Sequence, residues 1–307
     1  MGYSRLVVIG AASSIGIRPY ETGDARHLDR APAALRRQGL VERLSADDLG
    51  DITSAPYRDF TRPPDGIRNE REVAHYSGLL AEQITAGLDG GRFPVVLGGD
   101  CSIVLGTLLG LTRRAARVGL AYIDAHADFA TPQESRSGSA ASMCLALSAG
   151  RGQSPLATLA GSRPLVRADD VVLIGRRDHG QGFYGHAALA ASGILDLPGS
   201  LVGDDPAAVV RAALEQLVRP ELDGFWIHVD ADVLDPRVMP AVDSPEPGGP
   251  GIDELVAILT PLARHPSALG MQLTIYDPAL DADRSCASRL VTLLERTLAG
   301  DMTGGSR

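Results

Sequence analysis

Three short segments of this sequence carry residues able to do chemistry: Asp124-Ala125-His126-Ala127-Asp128, Asp230-Ala231-Asp232-Val233-Leu234-Asp235-Pro236 and Gly98-Gly99-Asp100-Cys101. Alternate side chains of an extended segment share a side, which groups Asp124 with His126 and Asp128, and Asp230 with Asp232. Two neighbouring strands ending this way would aim four carboxylates and an imidazole at one point. Left to themselves, such carboxylates repel one another and carry a large desolvation cost. One or two divalent cations remove the conflict. Mixed carboxylate and imidazole ligation suits manganese, zinc or iron. Carboxylates shared between two ions would hold them about 3.5–4 Å apart and bring water to hydroxide near neutral pH. A single Asp at a strand end is ordinarily a cap or a turn residue. That reading is kept for Asp235, which precedes Pro236, while Asp100 is expected to orient its loop.

The elements that must place these residues follow from the apolar pattern. Strands are expected over Arg5–Gly10, Phe93–Leu97, Val118–Ile123, Val171–Gly175, Gly224–Val229 and Leu269–Ile275. Helices are expected over Ala31–Leu40, Glu70–Leu88, Ile103–Arg114, Ala140–Ser148, Pro206–Val218, Ile252–Ala263 and Ser285–Leu298. Continuously apolar strands alternating with helices mean a parallel sheet covered on both faces, hence an α/β fold. In such sheets ligands bind beyond the carboxyl ends of the strands, where all three polar segments lie. No repeat or linker divides the 307 residues, so one domain spanning 1–307 is expected.

Composition narrows the function by exclusion. The net charge of −9 argues against nucleic acid and against an anionic membrane surface. Hydrophobic residues make up 44% of the chain, but no apolar run is long enough to span a bilayer. The apolar run near the N-terminus is too short for a signal-peptide core. Cys101, Cys144 and Cys286 are too few and too odd in number for a disulfide framework. A cytoplasmic location is the expectation. His228, two residues before Asp230, shares its strand parity, but a lone His is more often a core residue. Cys144 is expected to pack on a helix.

The segments GGDC, DAHAD, DADVLDP and SPEPGG, in this order, resemble the ureohydrolase family of arginase, agmatinase and their relatives. That resemblance implies a three-layer α/β/α fold with a mainly parallel sheet of about eight strands. It implies a manganese pair that activates water for attack on a guanidine or amidine carbon. Carried over residue by residue, one ion would take Asp124, Asp128, Asp230 and position 101. The other would take Asp124, His126, Asp230 and Asp232. Asp128 would also accept the water proton, Ser137, Ser244 and Glu246 would contact substrate, and the chain would form a homo-oligomer.

The sequence also departs from the family pattern. Position 101 is Cys rather than His; as a softer ligand it would favour zinc or iron over manganese, or it could be a small buried residue bonded to no metal. The segment after Ser137-Gly138 lacks a proton-shuttling His. Ile275 stands where a guanidinium-binding Glu is usual. Arg177-Asp178 is followed by His179-Gly180, with no acid to bind a substrate amino group. A buried Ile in place of a carboxylate removes a contact of about 1.5–3 kcal/mol, so free arginine is a poor candidate substrate unless Glu246 or Asp243 substitutes. The expected activity is metal-dependent hydrolysis of a C–N bond, other than a peptide bond, in a guanidino or amidino compound. The alternatives are a mononuclear zinc amide hydrolase of deacetylase type, or a metal-binding homologue without catalysis.

Overall fold

Six apolar runs of the sequence lie side by side as strands in the computed structural model, which describes residues 5–59, 62–180 and 185–299. The strands are β1 (Leu6–Ala12), β2 (Asp47–Thr53), β3 (Phe93–Leu97), β4 (Gly119–Ile123), β5 (Val171–Ile174), β6 (Leu195–Leu197), β7 (Phe225–Asp230) and β8 (Ala268–Thr274). They form one eight-stranded sheet in the order β2-β1-β3-β8-β7-β4-β5-β6, with every pairing parallel. β1, β3, β4, β5 and β7 are buried along their whole length, as expected of strands covered on both faces.

The helices among the described residues are α1 (Ala31–Arg37), α2 (Leu40–Arg43), α3 (Glu70–Gly87), α4 (Val104–Thr112), α5 (Cys144–Ser148), α6 (His186–Ala190), α7 (Gly199–Asp204), α8 (Pro206–Leu217), α9 (Ile252–Ala263) and α10 (Ser285–Leu298). They cover the sheet in two packed groups, α3 with α4 and α5, and α8 with α9, α10 and α1. α3 buries Val73, Tyr76, Leu80, Ala81 and Ile84, the spacing of one helical face. None of the described helices is long and apolar enough to cross a membrane.

Two strands, β2 and β6, are not signalled by the sequence pattern. Both lie at sheet edges. β2 reads DDLGDIT and is mostly exposed, and β6 has only three residues, so neither offers an apolar run. The helix expected over Ala31–Leu40 is interrupted: Gly39, at φ 77°, takes a left-handed conformation and restarts the chain as α2. The expected helices starting at Ile103 and Ala140 begin instead as single 3₁₀ turns, Cys101–Ile103 and Ala141–Met143.

The pairing of β4 with β7 sets up the functional end of the sheet. Ile123 is opposite Val229, so Asp124 and Asp230 leave the sheet side by side. β8 lies between β3 and β7 and brings Ile275 to the same edge.

Candidate metal centre and active-site cavity

A cavity of about 330 Å³ opens at the carboxyl ends of these strands, large enough for a small molecule. Asp124, His126, Asp128, Asp230, Asp232 and Cys101 all line it, as do Ser137 and Ser244. Glu246 stands at its edge, with Oε1 3.9 Å from Nε2 of His126.

The residues grouped by strand parity do line one cavity, but not through strand parity. The chain is not extended beyond β4 and β7. Instead, Asp124, Asp230 and Asp100 each accept a hydrogen bond from the backbone N–H two residues on, at 2.7, 3.0 and 3.0 Å. This short polar turn is a local habit of Asp. It puts Asp232 in a 3₁₀ turn rather than on a strand. Asp128 has φ 45°, a left-handed conformation uncommon for a residue with a side chain. Asp100 also accepts from Gly16 N–H at 3.0 Å, consistent with a loop-orienting role. A Cβ on Gly99 would strike the Ser13 carbonyl oxygen, so only glycine lets the β3 loop pass β1 this closely. Asp235 accepts from the N–H groups of Arg237 and Gly248, at 3.0 Å each, and so ties the turn after β7 to the Pro247-Gly248-Gly249 segment.

Among the described residues, three groups each bring their potential ligand atoms within 4.8 Å of one another: Asp124 with His126 and Asp232, Asp124 with His228 and Asp230, and Cys101 with Asp128 and Cys144. All of these residues are buried. Burial first, and then the facing Asp232, push the carboxyls of Asp124 and Asp230 well above the usual carboxylate range. Burial raises Asp128 to about 6, although the Tyr122 hydroxyl donates to it at 2.7 Å. Burial opposes charge on His126, but Asp232, 3.0 Å away, and Asp124 outweigh it and hold the imidazole well above its ordinary value. His126 in turn more than offsets burial at Asp232, whose carboxyl lies below the usual range. One imidazolium cannot balance four carboxylates. The Oδ2 atom of Asp124 is buried with no hydrogen-bond partner. A divalent cation fits this donor set: it would take up the orphaned oxygen and release the protons that burial otherwise forces on.

His228 joins the cluster in a different way. Trp226 Nε1–H donates to Gln272 Oε1 at 3.1 Å, so the Gln272 amide nitrogen faces His228 Nδ1, 2.7 Å away, and donates to it. Nδ1 is therefore an acceptor, and the ring proton sits on Nε2. Burial lowers the His228 pKa to about 3, keeping the ring neutral. A protonated Nε2 cannot ligate a metal, so His228 lies against Asp124 and Asp230 as a neutral ring, its Nε2 buried without a hydrogen-bond partner among the described residues. It stacks on Tyr122 with ring centroids 4.3 Å apart. Gln272→Leu should orphan both Trp226 Nε1 and His228 Nδ1, at a cost of about 1–3 kcal/mol each. Urea unfolding of the variant should reveal this, and an unchanged midpoint would refute the relay.

Several contributors escaped the reading of the sequence. Ser135, Ser139 and Ser142 form a hydroxyl-rich wall with Ser137. Arg26 forms an ion pair with Asp243 and lies 4.1 Å over the Tyr20 ring, so Asp243 is already engaged and cannot readily replace a missing guanidinium-binding acid. Asp178 accepts from Ala127 N–H at 3.0 Å and bonds Arg176 at 3.1 Å, bracing the loop after β4. Cys144 does not simply pack: its sulfur is 3.0 Å from the Tyr122 hydroxyl and 3.4 Å from Asp128 Oδ2. Ser135, Ser142, Arg26 and Cys144 belong to no motif of the sequence; only long-range folding brings them to the site.

Known proteins share this architecture. The arginase family pattern matches residues 5–299. Arginase from Bacillus caldovelox is 33% identical over 293 residues, covering 92% of this chain and 96% of that protein. Arginase from Brevibacillus brevis is 33% identical over 301 residues, covering 94% and 97%. The solved structure of the B. caldovelox arginase superposes with a TM-score of 0.85 at 30% identity, covering 99% of this chain and 100% of that one. Similarity of this extent, joined to the buried Asp and His cluster at the strand ends, places the chain in the arginase family, a family of hydrolases acting on C–N bonds other than peptide bonds.

Proposed function

We propose that this protein is a metal-dependent hydrolase of a guanidino or amidino small molecule other than free arginine. The observation that carries this reading is the buried Asp124, His126 and Asp232 group, with an Asp124 oxygen that nothing in the protein satisfies. Asp124, His126, Asp230 and Asp232 would hold one ion; Asp124, Asp128, Asp230 and Cys101 would hold a second. Ions held there would supply Lewis-acid activation of water. Asp128 would accept the water proton as a positioned general base. Ser137, Ser244 and Glu246 would orient the substrate within the cavity. Manganese suits the oxygen-rich position, whereas Cys101 draws the other toward zinc or iron.

Ile275 supports a substrate other than arginine. It is 3% exposed, lines the cavity, and offers no charge to a guanidinium. It also has φ 66°, an outlying conformation for a β-branched side chain that is tolerated where a site demands it. Ile275→Glu should raise kcat/KM for arginine about 10- to 150-fold, the equivalent of a charge-assisted contact of about 1.5–3 kcal/mol. Urea release measures it, and no gain would mean that recognition of the guanidinium lies elsewhere.

A second reading is a single-ion amide hydrolase. It is favoured by the hydrogen bonds that already occupy Asp128 Oδ2. Metal counted per chain, in the native protein and in Cys101→His, separates the two. Two ions in the native protein, with urea or an amine released from a guanidine and amidine panel, support the binuclear reading. One ion, rising to two in Cys101→His, with acid released from an amide, supports the single-ion reading. No metal in either form after loading excludes both.

A further inference from the structure

Cys101 and Cys144 come from different parts of the fold, one from the turn after β3 and the other from the start of α5. Both are buried, and their sulfurs lie within 4.8 Å of each other and of an oxygen of Asp128. Cys101 lines the cavity together with Asp128, so a solute entering it reaches this corner. Tyr122 donates to Asp128 Oδ2 at 2.7 Å and thereby fixes the carboxylate against the two thiols.

We propose that Cys144 is a second thiolate ligand at the Cys101 position, making it a Cys101–Cys144–Asp128 site that takes zinc or ferrous iron in preference to manganese. The inference rests on the metal-hydrolase reading above. The charge balance favours it. Uptake of a dication forms two metal–sulfur bonds, and the two thiol protons leave to solvent. The corner gains two positive charges and loses two protons, so its net charge is unchanged and no further charge is buried. Manganese lacks this advantage, because it prefers oxygen donors to soft sulfur. Replacing an imidazole with the shorter Cys101 side chain would by itself leave one donor poorly placed. A second sulfur on the same carboxylate restores the donor number.

The test is X-ray absorption at the zinc edge on the full-length protein, kept reduced under inert gas and loaded with zinc, alongside elemental analysis. Two zinc–sulfur contacts per chain at about 2.3 Å are expected. Cys144→Ser should reduce them to one and weaken zinc binding at this position by at least about 100-fold, beyond the 10- to 100-fold cost of losing a hydrogen bond to a ligand. Serine retains a hydroxyl able to donate to Asp128, so a purely hydrogen-bonding Cys144 would leave binding intact. One sulfur contact or none in the native protein overturns the proposal, and that count stands even if the variant fails to fold. Metal bound only through nitrogen and oxygen, with C–N hydrolysis intact, would remove Cys144 and leave the hydrolase reading standing. Absence of all metal after loading would remove both.

Discussion

Asp124→Asn should abolish metal uptake by the Asp124, His126 and Asp232 group and lower turnover by more than about 100-fold, because the loss of even a hydrogen-bond partner to a ligand costs about 10- to 100-fold. The substitution is nearly isosteric. Asn keeps the oxygen that accepts from His126 N–H at 2.7 Å, so the turn after β4 is preserved. What it replaces is the orphaned oxygen, Oδ2, with an amide nitrogen that donates and cannot ligate. The metal-free fold should suffer little, since burial and Asp232 already disfavour charge at this position. Elemental analysis, a hydrolysis assay and urea unfolding together test the claim. Normal metal content in the variant would refute the placement of the ion, whatever the activity; loss of metal accompanied by unfolding would point to a structural role.

Removing the metal should make stability fall as pH rises. Asp128 has a folded pKa of about 6 against an ordinary 3.8, and Asp124 and Asp230 lie well above that ordinary value too. A group whose pKa is raised by folding holds its proton more tightly in the native state. Its stabilising contribution is complete below the unfolded pKa and is lost as pH climbs through the folded one. Asp128 alone then accounts for about 3 kcal/mol, lost between roughly pH 4 and pH 7. His126, also raised, loses its contribution in the same direction at higher pH. Asp232 has the opposite sign, but its window lies below pH 3.8. Chelator-treated protein should therefore have a lower urea midpoint at pH 8 than at pH 5. Metal-loaded protein should gain stability as pH rises over the same range, because its ligands bind metal best when deprotonated. Parallel pH profiles for the two forms would show that these carboxylates do not gather around a cation.

Much of this was legible in the sequence. DAHAD and DADVLDP named the carboxylates and the imidazole, and the apolar runs before them identified β4 and β7, because a strand buried on both faces must be apolar throughout. The departures at Cys101 and Ile275 were equally visible, since they occupy fixed places in local motifs. The edge strands β2 and β6 were not, because a half-exposed strand has no such composition to display. Tertiary structure alone decided the rest. The strand order, with β7 beside β4 and β8 beside β3, fixes which ends share a cavity, and no local pattern encodes a pairing between distant segments. It set Asp243 against Arg26, Gln272 against His228 and Cys144 against Asp128, contacts 217, 44 and 16 residues apart in sequence. Residue type and local spacing are written in the sequence, so the DAHAD and DADVLDP candidates could be named from it. The partners that orient those ligands, and the charges that cancel or spare one another, depend on through-space distances that exist only once the sheet has formed.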